Sequence, residues 1–349
     1  MKLTFRWYGE KDCIPLNYIR QIPNMSGVVT AVYDVPVGEV WPLERLIKLK
    51  ELTNSYGLEM EVIESIPVHE DIKLGKDNRD QLIANYCENV RRVAKVGVKC
   101  VCYNFMPVFD WLRTEMHHQN KDGSNSLSYS YEDFQKVDPN NLHLPGWDES
   151  YTPDELQNLL KEYQNISHED LFNNLVYFLK KVIPVCDEVN IKMAIHPDDP
   201  PWDIFGLPRI VSNEKDLDKM FDAVPSINNG LTLCTGSFGA GRNNNLSHMA
   251  EKYTKQGRVH FVHLRNVLWT DDHDSFCEVG HYSKAGSLDM ADIVRCLVKN
   301  GFDGYVRPDH GRNIFGEEAK PGYGLYDRAL GAAYINGLFE MIEKEEGDK

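Results

Sequence analysis

Four side chains able to bind a divalent cation stand where short apolar runs of the sequence stop. "NIKMAIHP" closes on His196, "GLTLCTG" on Cys234, "RVHFVHLRN" on His263, and "GYVRPDHG" on Asp309 with His310 beside it. Imidazole and thiolate suit zinc or iron(II), and a carboxylate also admits manganese. A closed tetrahedral set would be structural zinc, whereas a set that admits substrate oxygens would be catalytic. One group nearby could move protons: Tyr323, which stands between two glycines in "KPGYGLYDRALG".

Each of these residues has an ordinary reading. A lone His or Cys in a strand is more often a core residue than a ligand, and a tyrosine on a turn is more often a packing residue. His260, three residues before His263, is read as core. Cys100 and Cys102 share one strand face and are read as small apolar fillers, and His117-His118 as surface. What favours a metal centre is the joint occurrence of donors at four successive strand ends.

Arginines gather at the same positions. Arg6 ends the first run, Arg265 lies two residues past His263, Arg307 two before Asp309, and Arg312 follows His310. Two-residue spacing puts Arg265 beside His263 and Arg307 beside Asp309 on one strand face. Guanidinium is the usual partner of a carboxylate, so Arg6, Arg265 and Arg307, with Trp7, are candidate substrate contacts. The competing reading pairs these arginines with Asp34, Glu64 or other local acids.

The elements that must position these groups follow from periodicity. Eight short apolar runs can be read, starting near Leu3, Gly27, Gly57, Gly97, Asn190, Gly230, Arg258 and Gly304. Helix-like segments separate most of them: Leu43 to Tyr56, Arg79 to Lys95, Leu171 to Val185, Leu288 to Lys299 and Leu325 to Lys344. Between the first two runs there is only a short candidate, Pro15 to Gln21. The pattern predicts an α/β protein, a (β/α)8 TIM barrel of one domain over residues 1–349, whose strand ends carry the chemistry. An open doubly wound sheet is the alternative.

One connection is out of scale. After the fourth strand, residues 106–167 are polar with scattered aromatics (Phe109, Trp111, Tyr129, Tyr131, Phe134, Trp147). Loops this long are usually functional or disordered, so a lid or an oligomer contact is expected there. "TGSFGAGRNNN", from Thr235, does not have the dinucleotide-binding order of glycines. It is read as a sharp turn letting backbone approach a ligand.

Bulk properties remove several function classes. The net charge is −15 with no Lys/Arg block, which excludes a phosphate-tracking surface for nucleic acid. An anionic substrate would also be repelled at long range and would need local cations. No run reaches the roughly 18 apolar residues of a membrane span, and the N-terminal residues do not read as a signal peptide. The eight cysteines lack a secreted-domain framework. A cytoplasmic protein with free thiols is expected, forming a homo-oligomer of two or more chains.

Longer motifs carry a resemblance. "TFRWYG", "IRQIP", "GVVTAVYDVPVGEVWP", "RPDHGR" and "PGYGLYDRALG" resemble the mannonate dehydratase family nearly end to end. The barrel resembles the xylose isomerase-like superfamily. The resemblance implies loss of water from D-mannonate to give 2-dehydro-3-deoxy-D-gluconate, in hexuronate (glucuronate) breakdown, with Mn2+ or Fe2+. It places the metal ligands on His196, Cys234, His263 and Asp309, and the acid–base pair on His310 and Tyr323.

Such a reaction needs three parts: a cation to stabilise the enediolate, a base for the carbon-bound proton, and an acid for the departing hydroxide. His310 is expected at the leaving hydroxyl and Tyr323 at the second carbon. The alternative within the superfamily is a metal-dependent sugar isomerase or epimerase. Those sites tend to carry more carboxylates, and here only Glu64 and Asp34 end early strands. A metal-dependent endonuclease is disfavoured by charge, and a metal-stabilised binding protein would bind a sugar acid without turnover.

Overall fold

In the computed structural model, residues 1–137, 151–271 and 274–347 are described. Eight strands form a closed parallel barrel: β1 Lys2–Arg6, β2 Met25–Thr30, β3 Glu59–Glu64, β4 Cys100–Tyr103, β5 Lys192–Ile195, β6 Asn229–Cys234, β7 Val259–Leu264 and β8 Tyr305–Pro308. All eight coincide with the apolar runs of the sequence. Pairing of Lys2 with Tyr305 closes β1 on β8 and rules out the open sheet.

Two cores result from the alternation of side chains along the strands. Inside the cylinder, Val29, Val62, Cys100, Cys102, Ala194, Phe261 and Tyr305 form a small buried layer. Outside, the apolar faces of the helices pack on the other strand face. Cys100 and Cys102 therefore fill the interior, as expected of them. Phe261 and His263 lie two residues apart on β7, so His263 stands one layer above this interior plug, its ring 4.5 Å from that of Phe261.

The helices match the periodic segments. They include Leu43–Ser55, Arg79–Lys95, His168–Val189, Met290–Lys299 and Tyr326–Gly347, with the short Leu16–Gln21 between β1 and β2. His168–Val189 starts at a reciprocal cap in which Ser167 and Asp170 bond each other's backbone N–H. It runs past the expected end and stops at Asn190, whose left-handed conformation (φ 55°) turns the chain into β5.

The described parts of the long insertion, residues 106–137 and 151–167, are structured. Its strands Glu115–Gln119 and Asn125–Tyr129 form a hairpin around Asp122-Gly123. This hairpin pairs with a second one, Asn266–Trp269 with Phe276–Val279, inserted after β7. The four strands make one antiparallel accessory sheet in the order 266–269, 276–279, 125–129, 115–119. Helices Tyr131–Phe134 and Pro153–Tyr163 follow. Phe109 and Tyr129 are buried, Phe134 packs on Tyr129 and Phe205, and Tyr131 is exposed. Trp147 lies outside the described residues. Among the described residues no helix is long and apolar enough to cross a membrane, and all eight cysteines are free thiols.

His260 is a core residue, as read. It is buried, with Nδ1 2.8 Å from the Met193 carbonyl. Burial pushes its pKa down to about 4, although the bond to Met193 favours the charged form. An unfolded histidine titrates near 6.5. Between these values the unfolded chain binds the extra proton, so the contribution to stability is full above about pH 6.5 and lost as pH falls toward 4. Denaturant unfolding of the parent and of His260→Gln between pH 7 and 4 should show the parent losing up to about 3 kcal/mol more than the variant.

Candidate active site

The barrel mouth gathers the four expected donors. His196 follows β5, Cys234 ends β6, His263 lies in β7, and Asp309 follows β8. Register explains their meeting, because Cys234 is paired with His263 and His263 with Arg307 across adjacent strands. Donor atoms of His196, Cys234 and His263 all lie within 4.8 Å of one another. Asp309 joins two of them, with Oδ2 3.6 Å from Cys234 Sγ and Oδ1 4.0 Å from His263 Nδ1. His196 Nδ1 donates to the Pro197 carbonyl at 2.7 Å, which leaves Nε2 as its ligating atom.

Electrostatics suit a cation here. Burial and the Asp309 carboxylate push the Cys234 thiol up, but Arg265 and His196 outweigh them and hold it well below its usual range. The Ser237 hydroxyl donates to the sulfur at 3.1 Å. Burial lowers His196, yet the Cys234 thiolate raises it to about 9. Both shifts favour positive charge beside the sulfur, which suits a bound cation. His263 Nε2 and Glu64 Oε2 are buried without hydrogen-bond partners, 3.4 Å apart. One thiolate, two imidazoles and a carboxylate are a donor set that fits a divalent cation. Glu64, Cys102 and His263 form a second close trio. There the Cys102 thiol belongs to the interior plug, accepts from Thr232 at 3.2 Å, and is pushed up by burial.

The arginines do converge, and acids take most of their N–H groups. Arg307 Nη2 bonds Glu64 Oε1 at 3.0 Å and Nη1 lies 2.7 Å from Asp309 Oδ1. Arg265 contacts Glu278 through Nη1, Asp199 at 3.0 Å, Ser237 at 3.1 Å and Asp309 at 3.2 Å. Arg6 donates to the Glu64 carbonyl, and its guanidinium lies 4.6 Å from the Tyr8 ring. Arg312 pairs with Asp122 and Asp327, and Asp34 with Arg45 instead of a mouth arginine. Trp7 is buried in the main core. Arg6 Nε and Arg307 Nε have no acceptor, whereas Arg307 Nη1 and Arg265 Nε lie 2.7 and 3.2 Å from Asp309 oxygens without a directed hydrogen bond. Burial raises Asp309, but Arg307, His310 and Arg265 hold it well below the carboxylate range.

His310 and Tyr323 are bonded to each other, Nε2 to hydroxyl, at 2.9 Å. Burial and Tyr8 raise the Tyr323 phenol well above its usual value, more than Arg307 lowers it. Trp111, from the insertion, packs edge-on to His310 at 5.6 Å.

Three site residues escaped the sequence reading. Glu278, on the hairpin after β7, lies 3.0 Å from His310 Nδ1. Asp199 follows β5. Arg113, from the insertion, bridges Asp199 at 2.7 Å and Glu278 at 2.7 Å. None ends a barrel strand. The only trace is Asp198-Asp199 two residues past His196. The glycine-rich stretch also differs from expectation. Thr235–Ala240 is a short helix, and Gly236 makes room for a side chain instead of a ligand. A Cβ there would lie 2.0 Å from Arg265 Nε.

The D-mannonate dehydratase (UxuA) family matches residues 1–349. The chain is 52% identical to the mannonate dehydratase of Thermotoga petrophila, covering 99% of this chain and 98% of that protein. It superposes on the crystal structure of mannonate dehydratase from Streptococcus suis serotype 2 with a TM-score of 0.93 and 48% identity, covering 99% and 96% of the two chains. A xylose isomerase domain protein from Planctomyces limnophilus shares the fold alone, at TM-score 0.55 and 13% identity, with 99% and 98% coverage. With its closed barrel and a mouth built from the ends of strands five to eight, the chain belongs to the D-mannonate dehydratase family.

Proposed function

We propose that this chain removes water from D-mannonate to release 2-dehydro-3-deoxy-D-gluconate, and that the barrel mouth is where it does so. The observation that carries the reading is the 2.9 Å hydrogen bond between His310 and Tyr323, beside a cluster of cation donors. His196, Cys234, His263 and Asp309 would hold a divalent ion, Mn2+ or Fe2+. When bound, it supplies Lewis-acid stabilisation of the charge that develops on the sugar-acid carboxylate.

The chain's own groups do the rest. Arg6 and Arg307 retain buried N–H groups without acceptors, and these are suited to the substrate's anionic oxygens. Arg265 is assigned to holding Asp199 and Glu278, which accept its Nη hydrogens, and Asp309, whose carboxylate lies 3.2 Å from its Nε. Trp7 is packed in the main core, so this reading gives it no direct contact with the substrate. Tyr323 is a neutral phenol at rest, so it can act at the second carbon only after passing its proton to His310 Nε2. The phenolate then takes the carbon-bound proton, and the His310 imidazolium gives its proton to the departing hydroxide. One water leaves, and both residues return to their starting states.

In this reading residues 1–349 work as one domain, and the 106–167 insertion walls the mouth by placing Trp111 against His310. The reading also includes a cytoplasmic setting, in keeping with the free thiols, and a homo-oligomer of two or more chains, which sedimentation would count.

Metal-stripped protein should release no keto-acid from D-mannonate and should regain turnover with Mn2+ or Fe2+. Restoration by neither ion would refute the cation assignment. Tyr323→Phe and His310→Asn should each lower kcat by about 100-fold or more. Tyr323→Phe should also stop exchange of the substrate's α-hydrogen with solvent deuterium. Exchange at the parent rate would move the second-carbon step to another residue.

A further inference from the structure

The two ring nitrogens of His310 face different neighbours. Nε2 meets the Tyr323 hydroxyl. Nδ1 lies 3.0 Å from both oxygens of Glu278 and 3.0 Å from Arg265 Nη1. A guanidinium only donates and an ionised carboxylate only accepts, so Nδ1 can satisfy one of them. Arg265 Nη1 gives one of its two N–H groups to Glu278 Oε1, whereas a lone pair on Nδ1 would face two acceptor oxygens, both at 3.0 Å. The carboxylate wins, and the proton sits on Nδ1.

Glu278 is itself held firmly. It is 1% exposed. Arg113 donates to Oε1 through Nε at 3.0 Å and Nη2 at 2.7 Å, while its Nη1 reaches the Leu112 carbonyl and Asp199. Burial raises the Glu278 carboxyl, but Arg265, His310 and Arg113 hold it down at about 2. Glu278 belongs to neither trio of potential cation ligands. Its strand is fixed on both sides, Val267 facing Glu278 and Ser128 facing Cys277.

We infer that Glu278 is the positioning residue of the proton-transfer pair: it fixes His310 with the proton on Nδ1 and a free Nε2 turned to Tyr323, and Arg113 of the insertion holds it there. The inference rests on the assignment of His310 and Tyr323 to proton transfer. It adds a third residue to that pair and makes the insertion part of the catalytic apparatus.

The test is nitrogen NMR of the 15N-histidine-labelled protein loaded with Mg2+, with His310 assigned by the signal lost in His310→Asn. The parent should carry the His310 proton on Nδ1. In Glu278→Gln, Arg113 and Arg265 will draw the carboxamide oxygen, leaving its NH2 against Nδ1 and moving the ring proton to Nε2. In the active holoenzyme, kcat should fall about 100-fold or more while KM stays within about threefold, since a wrong histidine tautomer costs about 10⁴ in the serine protease triad. A parent ring protonated on Nε2 overturns the inference even if Glu278→Gln does not fold, and so does a Glu278→Gln protein with parent tautomer and parent kcat. Parent turnover by His310→Asn and Tyr323→Phe would instead overturn the proton-transfer reading and leave the tautomer result standing.

Discussion

The Asp309 carboxylate is pinned between two buried guanidinium groups, Arg307 at 2.7 Å and Arg265 at 3.2 Å. Everything at the mouth depends on that arrangement. Each arginine reaches acids from other parts of the barrel. Arg307 ties Asp309 to Glu64 at the end of β3. Arg265 ties it to Asp199 after β5 and to Glu278 after β7. Buried charges tolerate this density only when paired, because losing one partner leaves an uncompensated ion at a cost of roughly 3–5 kcal/mol. The lattice therefore fixes where the strand ends sit. The donor atoms of Cys234 and His263 inherit their positions from it.

The same lattice resolves a conflict between the whole chain and its function. A net charge of −15 repels an anionic sugar acid at a distance. Surface charges are screened within about 10 Å at 0.1 M salt, whereas the mouth is lined by fully buried guanidinium groups. Arginine suits this use because it stays charged when desolvated and offers a planar fork of donors. Internal acids balance most of that charge, but not in direction. Arg307 Nη1 lies close to Asp309 yet makes no directed hydrogen bond, and Arg6 Nε has no acceptor. Local donors remain although the local charge is nearly matched.

The sequence made the barrel and its four donors legible for a definite reason. A parallel barrel buries both strand faces, so each strand reads as an apolar run, and a polar residue at its end must lie at the rim. His196, Cys234, His263 and Asp309 were found in that way. Glu278, Asp199 and Arg113 were not, because they stand on irregular connections and on an accessory sheet whose strands are short and half polar. "EMHHQ" and "NSLSY" carry no apolar run, and their one hairpin signal is the Asp122-Gly123 turn. The role of Arg265 was also beyond reach. Spacing placed it on the correct face, but Asp199 is far away in sequence and Glu278 stands on a hairpin that carries no barrel-strand signal.

That gap has a physical consequence for how the barrel is built. The accessory sheet takes two strands from the connection after β4 and two from the connection after β7. Pairing of Phe276 with Tyr129 and of Cys277 with Ser128 joins the two insertions. Tyr129, Phe276 and Trp202 form an aromatic cluster beneath that seam, and the Arg113 guanidinium sits 4.9 Å from the Phe276 ring. Glu278 comes two residues after Phe276 on the same strand. Its reach to His310 is thus set by a sheet that neither insertion could form alone. The long polar stretch after the fourth strand is best understood as half of a scaffold, completed by a hairpin more than a hundred residues later in the chain.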